Sequence, residues 1–144
     1  MTVTIQEALG QFLRTECLLV QEIVGTRVFW GDPGSNPAFP CVVFSGASER
    51  DIAEAIDQGS DLIEAQIEMV SLSIVSRAAA HVLARAVRQS LDRWTGRTPS
   101  TSGEWDIQYM RRTSQEDLVG AAYIEQGLYA VGQSYTVRAR PFTA

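Results

Sequence analysis

The sequence predicts an α+β fold in which two helices pack on one face of a mostly antiparallel or mixed sheet of about five strands. The segments follow the order α-β-β-β-α-β-β, without the βαβαβ alternation that builds parallel sheets. The chain has 144 residues, of which 45% are hydrophobic and 20% charged, as expected for one globular domain over residues 1–144.

The first helix is predicted over residues 4–23. Thr4 and Glu7 fit a capping box at its start, and Gly25 is a suitable stop. An apolar stripe at helical spacing supports the assignment. Its members are Ile5, Leu9, Phe12, Leu13 and Val20.

Three strands are predicted next. "RVFWG" (27–31) and "CVVFSGAS" (41–48) read as strands separated by "GDPGSNPAFP", whose prolines and glycines exclude regular structure. The third strand, Leu62 to Val75, has apolar residues at odd positions up to Met69 and at even positions afterwards. Such a slip indicates a bulge or a strand whose halves face different partners; a central strand buried on both faces at its end fits equally well.

An acidic connection over residues 48–61 joins the second and third strands. It is consistent with a turn of helix, since Ile52 and Ile56 are four apart, or with the tip of a long hairpin. It lacks the regular carboxylate spacing of a calcium loop. Its charged residues are Glu49, Arg50, Asp51, Glu54, Asp57 and Asp61.

A second helix over residues 76–94 precedes two further strands. Its predicted buried stripe is Ala79, Val82, Leu83, Ala86, Val87, Ser90, Leu91 and Trp94. Residues 104–110 alternate as a half-buried strand, and residues 111–126 read as a long mixed connection. The last strand, 127–139, places Tyr129, Val131, Tyr135 and Val137 on the inward face, with Gln133 as its polar exception.

Reactive chemistry is sparse in this sequence. The single histidine, His81, is expected at the helix surface, and Cys17 and Cys41 are expected to be buried free thiols. There is no phosphate-binding glycine motif, and we expect no catalytic residue, cofactor or metal. A net charge of −5 does not favour general nucleic-acid binding, and no apolar run is long enough for a membrane span. The N-terminus lacks signal-peptide features, so synthesis in the cytoplasm is expected.

The charges are self-complementary, since an arginine face on the second helix can meet the acidic connection of another copy. Head-to-tail rings use two different surfaces of this kind. Two further arginines end the last strand on its small-residue face, where an acidic partner can meet them. The basic residues considered as contacts are Arg77, Arg85, Arg88, Arg138 and Arg140.

The whole pattern resembles the tail-completion, or tail-terminator, proteins of long-tailed bacteriophages and related phage-like particles. The resemblance is carried by "RVFWG", "FPCVVFS", the Ala/Arg-rich helix ending "LDRW" and the late segment "EDL…GLYAVGQSYTVRA". In that segment the family typically has Gly-Leu-Tyr-x-x-x-x-Asp/Ser-Tyr/Phe-x-Val. The matching residues are Gly127, Leu128, Tyr129, Ser134, Tyr135 and Val137, and residues 112–126 look like an insertion.

The resemblance implies a non-enzymatic virion protein of the tail and neck, assembled in the host cytoplasm. It implies a homo-oligomeric ring, expected to be a hexamer, that caps the tail tube and joins it to the head-side connector. DNA would then be only passing cargo in the lumen. The acidic connection and the five arginines are expected at inter-subunit or tube contacts. The alternatives are another neck component, such as a head-side stopper or adaptor, and a small ligand-binding or enzymatic domain using the last strand and the 31–40 loop.

Overall fold

A six-stranded mixed sheet packed against three helices makes up the described part of the chain. The computed structural model describes residues 4–30, 39–51, 62–98, 105–120, 123 and 125–141. The helices are α1 (Ile5–Thr15), α2 (Leu18–Val24) and α3 (Arg77–Leu91). The strands are β1 (Val28–Trp30), β2 (Cys41–Asp51), β3 (Ile63–Ser73), β4 (Gly96–Arg97), β5 (Trp105–Leu118) and β6 (Tyr129–Pro141).

The strand order across the sheet is β1-β2-β3-β6-β5-β4. β1 runs parallel to β2, whereas every other neighbouring pair is antiparallel. The α+β class and the mixed sheet are therefore confirmed. The strand count differs by one, because the two-residue strand β4 lies between the predicted second helix and the strand predicted over 104–110.

The N-terminal helix predicted over 4–23 is two helices. Thr4 caps α1 as predicted, its Oγ1 accepting from the amide of Glu7 at 3.1 Å. The break has a local cause: the Gln21 side chain donates to the carbonyl of Arg14 at 2.6 Å. In a continuous helix that carbonyl would accept from the amide four residues on. Gly25, with φ 61°, ends α2 as predicted.

α3 begins at a side-chain cap and lies over the inner face of the sheet. The Ser76 hydroxyl accepts from the amide of Ala79 at 3.0 Å. Val82, predicted to be buried, is 56% exposed, and the buried stripe instead includes Ala80 and Ala84, which pack against Val131 of β6. Small alanine side chains let the helix approach this strand closely. The apolar spacing of the sequence alone did not show that Ala80 and Ala84, and not Val82, would be buried.

The main core lies between the helices and the inner face of the sheet. Phe12 of α1 packs on Trp94, with ring centroids 4.2 Å apart. Tyr135 and Val137 of β6 are buried, as predicted, whereas Tyr129 is 43% exposed, so its predicted inward packing is wrong. Tyr129 begins β6, at the end of the sheet. The strand residues of this core include Val42, Phe44, Ala65, Ile67, Met69, Ile107, Met110, Tyr135, Val137 and Ala139.

A smaller apolar cluster on the outer face explains the pattern of β3. Its buried members are Cys41, Val43, Val70, Leu72 and Ala130. β3 pairs with β6 in unbroken register from Ile63 to Ser73, so the bulge suggested for this strand is absent. The strand is instead buried on both faces at its end, with Ser71 and Ser73 each 1% exposed on the inner side. The register shift lies in β2, between Phe44 and Gly46.

β5 continues to Leu118, so the long connection predicted over 111–126 is wrong. Register shifts between Ile107 and Tyr109 and between Arg112 and Ser114 interrupt its alternation. Each such shift moves the following side chains to the opposite face, so the sequence shows no continuous strand period. Residues 112–118 of the apparent insertion at 112–126 are therefore strand.

The first four residues of the acidic connection, 48–51, belong to β2. β2 and β3 stay paired up to Asp51 opposite Ile63. This pairing supports the hairpin alternative over a helical turn for residues 48–51. Residues 52–61, and with them Glu54, Asp57 and Asp61, lie outside the described residues.

Candidate functional site

The outer face of β3 and β6 carries a polar band beside the small apolar cluster. Arg138 donates from Nε to Glu64 Oε2 at 3.0 Å, across paired positions of the two strands. One pleat further, the Thr136 hydroxyl donates to Gln66 Oε1 at 3.0 Å. Glu64 is 9% exposed, so an arginine is needed beside this buried carboxylate.

Tyr109 of β5 extends this band toward the edge of the sheet. The guanidinium groups of Arg111 and Arg138 lie 5.0 and 5.2 Å from the centre of its ring, within the range of cation–π attraction. Arg140 reaches Asp106 of β5, with Nε 3.4 Å from Oδ2. Arg138 and Arg140 thus share the predicted face, and the acidic groups they meet belong to their own chain.

The arginine face of α3 is partly neutralised within the chain. Arg77 Nε lies 3.6 Å from Asp117 Oδ2, and Arg88 Nε lies 3.8 Å from Asp92 Oδ2. Arg85 is exposed and forms no ion pair with another described residue. Arg85 and Arg88 line a shallow depression together with Gln89 and Asp92.

His81 is at the surface, as predicted, but it has a specific partner. Its Nε2 lies 2.6 Å from Asp117 Oδ1, so α3 and the end of β5 are joined by one carboxylate that also faces Arg77. The sequence places these residues 36 positions apart, and only the extension of β5 to Leu118 brings Asp117 under α3.

Three of the predicted charged contact residues of the acidic connection lie at the end of β2. The backbone of Glu49, Arg50 and Asp51 is paired opposite Ala65, Glu64 and Ile63. Their role in contacts stays a prediction.

The nucleophilic and phenolic groups are poorly placed for chemistry. Cys17 and Cys41 are buried and free, as predicted, and burial raises the pKa of each thiol to about 11. Tyr135 is fully buried, and desolvation raises the pKa of its hydroxyl. Thiols in this state are protonated at neutral pH and weakly nucleophilic.

Metal-binding groups and membrane-spanning helices are both absent from the described ranges. No group of three or more His, Cys, Asp or Glu residues there is arranged to hold a metal ion. None of the helices in that part of the chain is long and apolar enough to cross a membrane.

An apolar pocket lies at the end of the sheet where β5 ends and β6 begins. Its volume is about 390 Å³, and Arg77 and Asp117 stand among its apolar lining residues. The lining is Arg77, Ala80, Asp117, Leu118, Val119, Gly127, Leu128, Tyr129, Ala130 and Val131. This pocket was not predictable from the sequence, because residues 111–126 show no continuous strand alternation.

Among the described residues the two thiols and the Tyr135 hydroxyl are buried, and the exposed features are charged and apolar surfaces. The chain belongs to the tail completion protein gp17 family, whose sequence profile matches residues 14–121, more than half of the chain. It is therefore a non-enzymatic component of a bacteriophage-type virion tail.

Comparison with solved structures gives the same fold. A chain of the "Virion of native gene transfer agent (GTA) particle" superposes with a TM-score of 0.71 at 18% identity, with 94% of each chain covered. No curated protein sequence matches the chain.

Proposed function

We propose that this chain forms a ring that caps the tail tube and joins it to the head-side connector, with DNA passing through the lumen. The observation that carries the proposal is the family match over residues 14–121. A protein that completes a tail has to end tube growth and present a surface for what attaches next. A closed ring performs both tasks with many copies of one small domain.

The distribution of charge supports contacts between copies. Exposed Arg85 and its neighbour Arg88 form a basic patch on α3, while the β2–β3 hairpin carries Glu49 and Asp51 to its far end. We propose that the acidic hairpin, including Glu54, Asp57 and Asp61, meets this patch on the next copy. Charge pairing of this kind sets orientation and partner choice more than affinity. Six copies is the number we propose for the ring.

The paired arginines of the outer face have a different role in this proposal. Arg138 and Arg140 compensate Glu64 and Asp106 in their own chain, so their charges are already partly satisfied. The polar band they form is a surface that meets the tail tube or the lumen with little net charge. Such a surface lets DNA slide without being held by its phosphates.

Removal of the gene distinguishes a protein that caps the tail tube from one that acts only at the head side. If the protein caps the tube, particles made without it should contain tubes of uncontrolled, greater length and heads without tails, and supplying the chain should restore both. If it is only a head-side adaptor or stopper, tube length should stay normal while joining fails. Electron microscopy of tail lengths decides between these results.

An image of the joined particle tests the ring itself. The proposal expects closed density for several copies of this fold at the head-proximal end of the tube. Density for a single copy at that position, or for this chain at the distal tip, would overturn it.

A further inference from the structure

We propose that the pocket at the end of the sheet receives Leu18 and Leu19 of a neighbouring copy, so that each subunit inserts this leucine pair into the next. The inference rests on the proposed ring and identifies one of its inter-subunit contacts. It is carried by two exposed apolar surfaces with opposite charges beside them.

The pocket is the more extensive of the two surfaces. Val119 and Tyr129 in its lining are 63% and 43% exposed, and Ile74 and Val75 next to it are 56% and 75% exposed. Ser73 pairs with Tyr129 and Leu118 pairs with Ala130, so these side chains come together at one end of the sheet. A contiguous exposed apolar surface of this kind marks a protein contact.

The leucine pair is the second surface. Leu18 and Leu19 begin α2 and are 71% and 48% exposed, although this helix buries Val20 and Val24 in the main core. Two adjacent leucines projecting from a helix start form a compact apolar insert for a pocket of about 390 Å³.

The charges beside the two surfaces are complementary. Glu16 and Glu22 are exposed on either side of the leucine pair, with Glu22 one helical turn after Leu18. Arg77 at the pocket has a 64% exposed side chain. Although Asp117 in the lining lies 3.6 Å from Arg77, the exposed part of this arginine side chain can also meet an incoming glutamate.

A single copy cannot fill its own pocket. Cys17, next to the leucine pair, lies beside Ser90 near the C-terminal end of α3, whereas Arg77 is the first residue of that helix. The helical rise between Arg77 and Ser90 is about 20 Å. A contact between these surfaces therefore joins two copies. Where each copy offers one surface to each neighbour, the contact is heterologous, and it gives a ring when the rotation between copies closes.

Paired cysteines test this contact in assembled particles. The Leu19→Cys and Val119→Cys substitutions are combined in one chain, particles are assembled and oxidised, and their proteins are separated without reductant. The two positions are too far apart within a chain for a disulfide, which needs Cα atoms within roughly 7 Å. The expected result is a ladder of covalent oligomers ending in a closed species.

The matched control combines Leu19→Cys with Val82→Cys, because Val82 is 56% exposed on α3 and does not line the pocket. This control should give monomers, as should the unsubstituted chain with its two buried thiols. Dimers alone, or a disulfide from position 119 to another particle protein, would overturn the proposal. Monomers in complete particles would also overturn it, while leaving the ring intact.

A charge substitution provides a second measurement that does not depend on disulfide geometry. Val119→Asp should lower the yield of complete particles at least about tenfold, because it places an unpaired carboxylate in an apolar contact, whereas Thr26→Asp, at an exposed turn outside the proposed contacts, should leave it unchanged. Equal yields from both variants would exclude the contact. A chain absent from particles altogether would instead refute the proposed function, and this inference with it.

Discussion

Gln133 of β6 donates a hydrogen bond from Nε2 to the carbonyl oxygen of Ala84 on α3, at 3.1 Å, in the buried layer between sheet and helix. Nε2 also donates to Gln115 Oε1 at 2.9 Å, and the Tyr135 hydroxyl donates to Gln133 Oε1 at 3.4 Å. Gln133 is 3% exposed. The Gln133 amide thus links Gln115 and Tyr135 of the sheet to α3. It does so at a position where the alternation of the strand requires an apolar side chain.

The Gln133→Met substitution should therefore destabilise the fold although it preserves volume. We expect a loss of about 1–3 kcal/mol in the free energy of unfolding, because the buried Tyr135 hydroxyl loses its acceptor. Urea denaturation measures this loss. Gln66→Met is the matched control, since Gln66 is exposed on the outer face, and it should change stability by less than about 0.5 kcal/mol. If the two variants were equally stable, packing of the introduced methionine side chain would compensate for the lost hydrogen bonds of Gln133.

The Gln133 network also shows what a sequence can predict about this fold. Alternation placed Gln133 inside and identified it as the polar exception, because strand parity is a local property. Its acceptor, the carbonyl of Ala84, lies 49 residues away, and no local pattern specifies that pairing. The helix cap at Thr4 and the stop at Gly25 were predictable for the same local reason.

The candidate contact surfaces were less predictable, because they depend on register. Arg138 was assigned to an external acidic partner, yet β3–β6 pairing places Glu64 beside it. The register shifts in β5 concealed the strand that brings Asp117 to His81 and forms the pocket. Leu18 and Leu19 lay outside the predicted apolar stripe, whereas the break between α1 and α2 just before them was not predicted.

We expect glycine to be needed at position 25 because of its backbone conformation, since there is room for a larger side chain. Its φ is 61°, and a Cβ there would meet nothing within 4 Å. Gly25→Ala should cost about 1 kcal/mol of unfolding free energy, because L-residues rarely adopt this conformation. The control is Gly120→Ala, where the new Cβ would make only an ordinary contact, 3.8 Å from Tyr123. Thermal denaturation of the two variants compares them, and an unchanged midpoint for Gly25→Ala would contradict the prediction.

Stability should fall at alkaline pH because the thiols are buried. The pKa of Cys17 and that of Cys41 are raised to about 11, above the ordinary value of 9.0 that the unfolded chain has. The folded state therefore holds these protons more tightly. The contribution of each thiol to the free energy of unfolding is fully present below about pH 9. It is lost as pH rises to about 11, by at most about 1.4 kcal/mol per pH unit for each thiol. Tyr135, whose pKa is also raised, extends the loss in the same direction.

Urea denaturation between pH 8 and pH 11 measures this slope. In Cys17→Ala the slope should be smaller than in the unsubstituted chain, whatever the absolute cost of the substitution, because one titrating group is gone. Thiol reagents should modify both cysteines of the unsubstituted chain slowly until urea unfolds it. A free energy of unfolding that stays constant between pH 9 and pH 11 would contradict the assignment.

Charge reversal on α3 separates assembly from folding. Arg85→Glu combined with Arg88→Glu should leave the unfolding free energy within about 0.5 kcal/mol, since both side chains are exposed and surface ion pairs contribute little. The same variant should reduce incorporation into particles, because the acidic hairpin of the next copy then faces like charge. The measurements are urea denaturation of the purified chain and quantification of the protein in particles.

The matched variant for this experiment is Arg138→Glu. It replaces the arginine beside the buried carboxylate of Glu64 with a second negative charge, so it should destabilise the monomer itself. A loss of particles with Arg138→Glu then results from a destabilised monomer. A loss with Arg85→Glu, Arg88→Glu results from a weakened contact between copies. Normal incorporation of the Arg85→Glu, Arg88→Glu chain would remove the basic patch from the proposed ring contact, because nothing else in that variant compensates the reversed charge.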